Sequence, residues 1–215
     1  MRSMLVIGLG RFGTNLAIKL SELKNEVMVV DRSEAAVNAI APQVTSAYAG
    51  NCMDEEVVRA LGVGNFDVCF VCISDDFQSS LEITSLLKEH GAKYVVSKTD
   101  RAMHAKFLRK LGADAVVYPE RDMAHRVAIR YSAQNVFDYV EITPEYAVQE
   151  MRVPASWAGK TLRQLDVRAK YGVNVIGEKE GERVRPIVDA DYRLPENAHL
   201  LISGERKILE KLAVN

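Results

Sequence analysis

Short apolar runs recur along the first 120 positions, and between them the apolar residues spread out to a helical period. "MLVIG" (4–8) is such a run closed by glycine, after which Phe12, Leu16, Ala17 and Leu20 fall on one helical face. "EVMVVD" (26–31) predicts a second strand, and "SEAAVNAI" a helix with Ser33 as its N-cap. "TSAYAG" (45–50) is a third strand, and Asp54, Glu55 and Glu56 place acids in the first turn of the next helix, where the dipole favours them. "DVCFVCIS" (67–74), "KYVVSK" (93–98) and "DAVVYP" (114–119) complete six strands, with helices through "SSLEITSLLKEHG" and "AMHAKFLRKLG" stopped at Gly91 and Gly112. Strands repeating roughly every 20–25 residues with a helix between each pair predict an α/β fold, a Rossmann-like doubly wound parallel sheet. The runs are continuous rather than alternating because both faces of such a sheet are covered.

The alternation stops after Pro119. "RDMAHRVAIRYSAQNVFDYV" (121–140) predicts a helix with Met123, Val127, Ile129 and Tyr131 among its apolar positions. Beyond it come a strand at "VQEMRVP", one short helix at "TLRQLDVRAKYG" (161–172), a hairpin in "VNVIGEKEGERVRPI" turning near Glu180 and Gly181, a strand at "AHLLISG" and a closing helix at "ERKILEKLAV". This is a small α+β lobe. The expected domains are therefore 1–134, a nucleotide-binding domain with a crossover helix, and 135–215. A core as small as that of the second lobe is marginal alone, so pairing with another copy is expected.

Composition narrows the function. A net charge of −1 and an isoelectric point near 6.4 leave no basic footprint for nucleic acid. No apolar run approaches the ~18–20 residues of a membrane span, and no signal-peptide pattern opens the chain. A cytoplasmic protein is expected, and any membrane role requires another chain to supply the membrane part. The cysteines are Cys52, Cys69 and Cys72, an odd, low count that fits a reducing compartment. Cys69 and Cys72 spell a CxxC, but in a strand residues three apart point to opposite faces, so packing is the expected role.

The candidate chemistry lies in "VIGLGRFG" (6–13). Gly8, Gly10 and Gly13 follow the first strand and open a helix, the arrangement that turns the chain, admits a phosphate and lets helix and strand pack closely. Asp31, eighteen residues past Gly13, ends the second strand, where a carboxylate accepts hydrogen bonds from ribose hydroxyls and repels the 2′-phosphate of NADP. Arg11 supplies more positive charge than a pyrophosphate needs; it either meets a terminal phosphate, as in ATP, or points to solvent. Asn51, Cys52, Ile73, Ser74, Asp75, Lys98 and Glu120 also fall at strand carboxyl ends. There Lys98 could meet phosphate, and Glu120 a divalent cation held by phosphate oxygens. Tyr94 and Lys98 have the YxxxK spacing of a dehydrogenase pair but lie on a strand rather than the helix that pairing needs. No histidine has an acidic partner at a recognisable spacing, and no Ser-His-Asp or Cys-His set is apparent. Catalysis is therefore not expected, although an NAD-dependent oxidoreductase and an NAD(H)-binding redox sensor stay open.

The order "VIGLGRFG", "VVDRS", "AGN", "CISDD", "SKTD", "LGADAVVYPERDM" and "LDVRAKYGVNVI" resembles the RCK (KTN, or TrkA-N/TrkA-C) regulators of potassium channels and transporters. Within them it is similar to the KtrA-type cytosolic gating subunits, over essentially the whole chain. The resemblance implies an RCK N-lobe and C-lobe, homodimers assembled into an octameric gating ring, and a membrane potassium-conducting partner at the inner face of the cell membrane. It implies ATP or ADP, or NAD(H), at Gly8, Leu9, Gly10, Arg11, Phe12, Gly13, Asp31, Arg32, Asn51, Cys52, Ile73, Ser74, Lys98 and Glu120. Arg11 would contact a terminal phosphate, and Glu120 would help bind Mg²⁺ or Ca²⁺. Asn51 stands where many relatives carry aspartate. In this branch the C-lobes can pair around cyclic di-AMP; the matching positions are Leu162, Arg163, Asp166, Arg168, Ala169, Ile176 and Pro186. Arg163 replaces an apolar position there, and Asp166 often differs among relatives.

Overall fold

The computed structural model describes residues 1–132, 136–187 and 189–213. The chain divides into two compact units, Met1–Arg121 and Asp122–Asn215. The division expected between 134 and 135 falls on residues outside those described.

In the first unit the strands are β1 (Ser3–Ile7), β2 (Glu26–Asp31), β3 (Ser46–Ala49), β4 (Val68–Val71), β5 (Val95–Lys98) and β6 (Ala115–Val117). They form one parallel sheet in the order β3-β2-β1-β4-β5-β6, the doubly wound topology expected. The helices between them are α1 (Arg11–Glu22), α2 (Glu34–Ile40), α3 (Glu55–Leu61), α4 (Phe77–Glu89) and α5 (Ala102–Lys110). Successive residues of β1 alternate between two cores. Leu5 and Ile7 meet Val58, Ile83 and Leu87 of α3 and α4, whereas Met4 and Val6 meet Ala17, Val37 and Ile40 of α1 and α2. Each buried aliphatic side chain contributes about 1.5–3 kcal/mol. The same alternation separates the CxxC pair: Cys69 packs in the first core and Cys72 in the second. Ser33 caps α2 through an Ala36 amide 3.3 Å from its hydroxyl, and Asp54 and Asp76 cap α3 and α4 in the same way. The strand expected over 93–98 starts only at Val95, so Tyr94 lies outside it and is exposed.

α6 (Pro119–Ser132) begins in the first unit and buries none of its residues; Met123, Val127 and Tyr131 are exposed, while Ile129 packs against the core of the second unit. The helix expected to run to residue 140 does not. Val136–Glu141 is a strand, β7, paired antiparallel with β8 (Tyr146–Arg152). Its β-branched and aromatic residues bury Val136 and Tyr139, and cross-strand pairing overrides the helical spacing read from the preceding stretch. β9 (Asn174–Glu180), β10 (Arg183–Pro186) and β11 (His199–Glu205) complete an antiparallel sheet in the order β10-β9-β11-β8-β7. The single helix expected over 161–172 is two, α7 (Leu162–Leu165) and α8 (Val167–Tyr171), broken at Asp166, whose φ is +46°. Thr161 and Gln164 form a reciprocal capping box that starts α7. With α9 (Arg206–Ala213), these elements enclose Met151, Trp157, Leu194, Leu200, Ile202 and Leu209.

Leu200→Ala is expected to destabilise the second unit by about 2–5 kcal/mol. Urea unfolding followed through Trp157, the chain's one tryptophan and a member of the same core, measures it.

Candidate functional site

The glycine turn between β1 and α1 lies at the carboxyl-end edge of the parallel sheet. Gly8 donates its amide to Val30 of β2 at 2.9 Å and holds φ +95°, a left-handed conformation glycine adopts without strain. A Cβ on Gly8 would stand 2.9 Å from Ile73 Cγ1, which places the Ile73 side chain directly against the turn. A Cβ on Gly13 would lie 1.9 Å from the carbonyl oxygen of Gly8, so only glycine lets α1 approach β1 this closely. Gly10 is the reverse case. It is the N-cap of α1, caps with no side chain, and a Cβ there would meet nothing within 4 Å. The space beside Gly10 is therefore open and no side chain caps α1 there, and a helix start with uncapped amides is suited to receive an anion.

Asp31 ends β2 with one oxygen bonded into this turn and the other to the start of α2. Its Oδ2 accepts from the Leu9 amide at 2.6 Å and its Oδ1 from the Ser33 amide at 2.8 Å. A carboxylate has about four acceptor positions, so these two bonds orient it and leave room for ribose hydroxyls. Asn51 uses its side-chain oxygen to accept the Met53 amide at 3.1 Å and so closes its own loop. Cys52 is buried beside Asp31. Arg32 follows Asp31 on the surface, and its charge, after the hydrogen bonds from Ser79, helps hold the Asp76 carboxyl below the usual range.

On the other side of the turn, Lys98 at the end of β5 is 8% exposed, with its Nζ 2.7 Å from Glu120 Oε1 and 5.7 Å from the centroid of the Phe12 ring. The hydrogen bond from Lys98, with the charge of Arg11 adding to it, holds the Glu120 carboxyl below the usual carboxylate range. Gly8 to Gly13, Asp31, Ile73, Lys98 and Glu120 thus share one end of the sheet, at the crossover between β1 and β4 where open α/β sheets take ligands. Sequence reasoning assigned Lys98 and Glu120 to different partners and missed that they pair with each other. It also missed that Cys72 walls the turn, its Cβ 3.1 Å from where a Gly13 side chain would start. The position of Cys72, just past the end of β4, was the available signal.

Among the described residues no three His, Cys, Asp or Glu side chains gather to hold a metal, so a cation at Glu120 would need phosphate oxygens as well. No histidine has an acidic partner at a recognisable spacing in the sequence, but the fold brings acids to three of them. His90 Nε2 lies 3.3 Å from Glu55, His125 Nε2 3.7 Å from Glu141 and His199 Nδ1 2.9 Å from Glu150. These pairs form across 16 residues or more, beyond what spacing reveals, and they lie in three separate places. His104 stacks on Phe77. None of the four is hydrogen-bonded to a serine or cysteine among the described residues, so they form no nucleophilic set.

In the second unit Arg163 forms a two-pronged pair with Asp191, at 2.7 and 3.1 Å, and Arg168 donates to Asn174 Oδ1 at 2.7 Å. Asp166 is the left-handed link between α7 and α8, and Ala169 sits on α8. Leu162 packs against the core, and Ile176 and Pro186 lie on the neighbouring strands β9 and β10.

The TrkA-N domain family matches residues 4–119 and the TrkA-C domain family residues 148–214. Ktr system potassium uptake protein C of Bacillus subtilis (strain 168) is 43% identical over 179 residues, covering 83% of this chain and 81% of the relative. Ktr system potassium uptake protein A of the same organism is 34% identical over 206 residues, covering 96% and 93%. The GsuK channel bound to NAD superposes on the whole chain with a TM-score of 0.71 at 20% identity, the chain spanning 40% of that protein's length. GsuK bound to ADP matches 60% of this chain and 35% of its own, with a TM-score of 0.53 at 20% identity. At that identity the likeness to GsuK is one of fold.

Two results are expected from this geometry. Gly13→Ala costs about 3 kcal/mol or more through overpacking, whereas Gly10→Ala costs about 1 kcal/mol or less; thermal melts of the two variants measure the contrast. Burial pushes the Cys52, Cys69 and Cys72 thiols up to about 12. At pH 8 an aromatic disulfide reagent is therefore expected to titrate them only once the chain unfolds.

Proposed function

The chain belongs to the family that joins a TrkA-N to a TrkA-C domain in the Ktr potassium uptake proteins, and we propose that it is a regulatory, non-catalytic subunit of a potassium channel or transporter that senses an adenine nucleotide. The observation that carries the reading is the open start of α1 at Gly10, flanked by the cations Arg11 and Lys98 and by the oriented carboxylate of Asp31. Asp31 suits ribose hydroxyls. The α1 amides suit the first phosphates, and Arg11 and Lys98 suit a longer phosphate chain. ATP and ADP differ by one phosphate, so a site with a cation placed for it binds the two with different free energies. A ligand shifts a two-state assembly by no more than that difference. In this proposal Mg²⁺ or Ca²⁺ would be shared between Glu120 and the phosphates.

No helix among the described residues is long and apolar enough to cross a membrane, so the proposal places the pore in a separate membrane subunit, with this chain at its inner face. Homodimers joined into an octameric ring are part of the same reading. Two exposed apolar rows support assembly, Met103 and Phe107 on α5 with Leu111 just past its end, and Met123, Val127 and Tyr131 on α6. Cyclic di-AMP at the second unit would require Arg163 and Arg168 to exchange Asp191 and Asn174 for phosphate. A redox-sensing role with NAD(H) is the second reading. It is favoured by GsuK, a protein of this fold that binds NAD, and Asp31 suits the ribose of either ligand.

Calorimetry with ATP, ADP, NADH, NADPH and cyclic di-AMP, with and without Mg²⁺, is the test. ATP and ADP binding more tightly than NADH, without hydrolysis, is expected; tight NADH with indifference to ATP would return the site to redox chemistry. Arg11→Ala is expected to cut the ATP-to-ADP affinity ratio by about tenfold, as for loss of one charge-assisted phosphate contact.

A further inference from the structure

Lys98 and Glu120 differ in their freedom. The lysine side chain is 9% exposed and walled by Phe12, whereas the Glu120 side chain is 64% exposed in the first turn of α6. An ammonium so deeply placed needs a counter-charge, and Glu120 supplies it at 2.7 Å. A phosphate chain leaving the start of α1 needs that same cation. The two anions cannot both take it without facing each other at close range, where like charges repel.

We propose that Glu120 is the specificity-determining residue for phosphate number: a resident anion that occupies Lys98 until a nucleotide carries enough phosphates to displace it. The inference rests on the nucleotide-binding reading above. It assigns Glu120 a role that opposes binding, separate from any part it plays with a cation. A monophosphate held by the glycine turn leaves the Lys98–Glu120 pair closed. A triphosphate, drawn also by Arg11, exchanges with Glu120, and the exposed carboxylate swings into water while the buried lysine stays. The exchange moves the first turn's side chain rather than the sheet, so its cost falls on one ion pair.

The test is binding of AMP, ADP and ATP by calorimetry in EDTA, with no divalent cation, to the wild-type chain, to Glu120→Gln and to Glu120→Asp. Removing the competing charge is expected to tighten ATP about tenfold, ADP less, and AMP not measurably. Glu120→Asp, which keeps the charge, is expected to stay within about twofold of wild type. A simple structural loss would weaken all three nucleotides together and lower the melting temperature, which the same samples report. Equal gains for the three nucleotides, or weaker ATP binding by Glu120→Gln in EDTA, would overturn the proposal. A wild-type chain that binds none of the three would overturn the nucleotide reading itself, and this proposal with it.

Discussion

The missing side chain at Gly13 is the constraint from which the first unit follows. With a Cβ 1.9 Å from the Gly8 carbonyl, α1 could not lie where it does against the end of β1. Its amides would then point elsewhere, and Arg11 and Phe12, the first residues of that helix, would move with them. Phe12 walls Lys98, so the packing of one glycine reaches the electrostatics on the far side of the turn. The bond from the Leu9 amide to Asp31 fixes the same turn from the β2 side. β1 and β2 thus hold one loop between them, and the loop's shape owes little to its own side chains.

Much of the first unit was legible because each signal there is local. Apolar runs, capping residues such as Ser33 and Asp54, and the glycine spacing all act within a few residues, and the parallel sheet followed from their alternation. The positions of the candidate site were legible for the same reason, since strand carboxyl ends can be counted along the chain. Their partnerships were not. Lys98 and Glu120 meet because β5 and β6 lie side by side, and Asp31 turns inward because Leu9 offers an amide across β1 and β2. Pairings set by sheet order carry no mark in local spacing.

The second unit was less legible, and particular residues show why. "VFDYVE" follows a helical stretch, and only its antiparallel neighbour, β8, decides that it is a strand. Asp166 interrupts what spacing reads as one helix. A non-glycine residue at φ +46° is uncommon, though aspartate tolerates it better than most. Glu150 is buried in the sheet with both Lys179 and His199 against it, three residues from three strands. The buried charges of this sheet are matched across its strands rather than along the chain, so the sequence shows their inventory but not their pairs.

The strand order also has a consequence for how the chain is made. β1 leaves the ribosome before the other five strands of its sheet, yet it is central and needs a partner on each side, β2 at residues 26–31 and β4 at 68–71. Pairing with β2 can begin early. The other edge of β1, apolar and with unpaired backbone groups, waits through some forty further residues of synthesis, a few seconds at about 5–20 residues per second. During that interval the nascent chain presents the kind of open strand edge that invites pairing with other chains. The sheet position that makes β1 the deepest element of the finished unit makes it the most vulnerable one during translation.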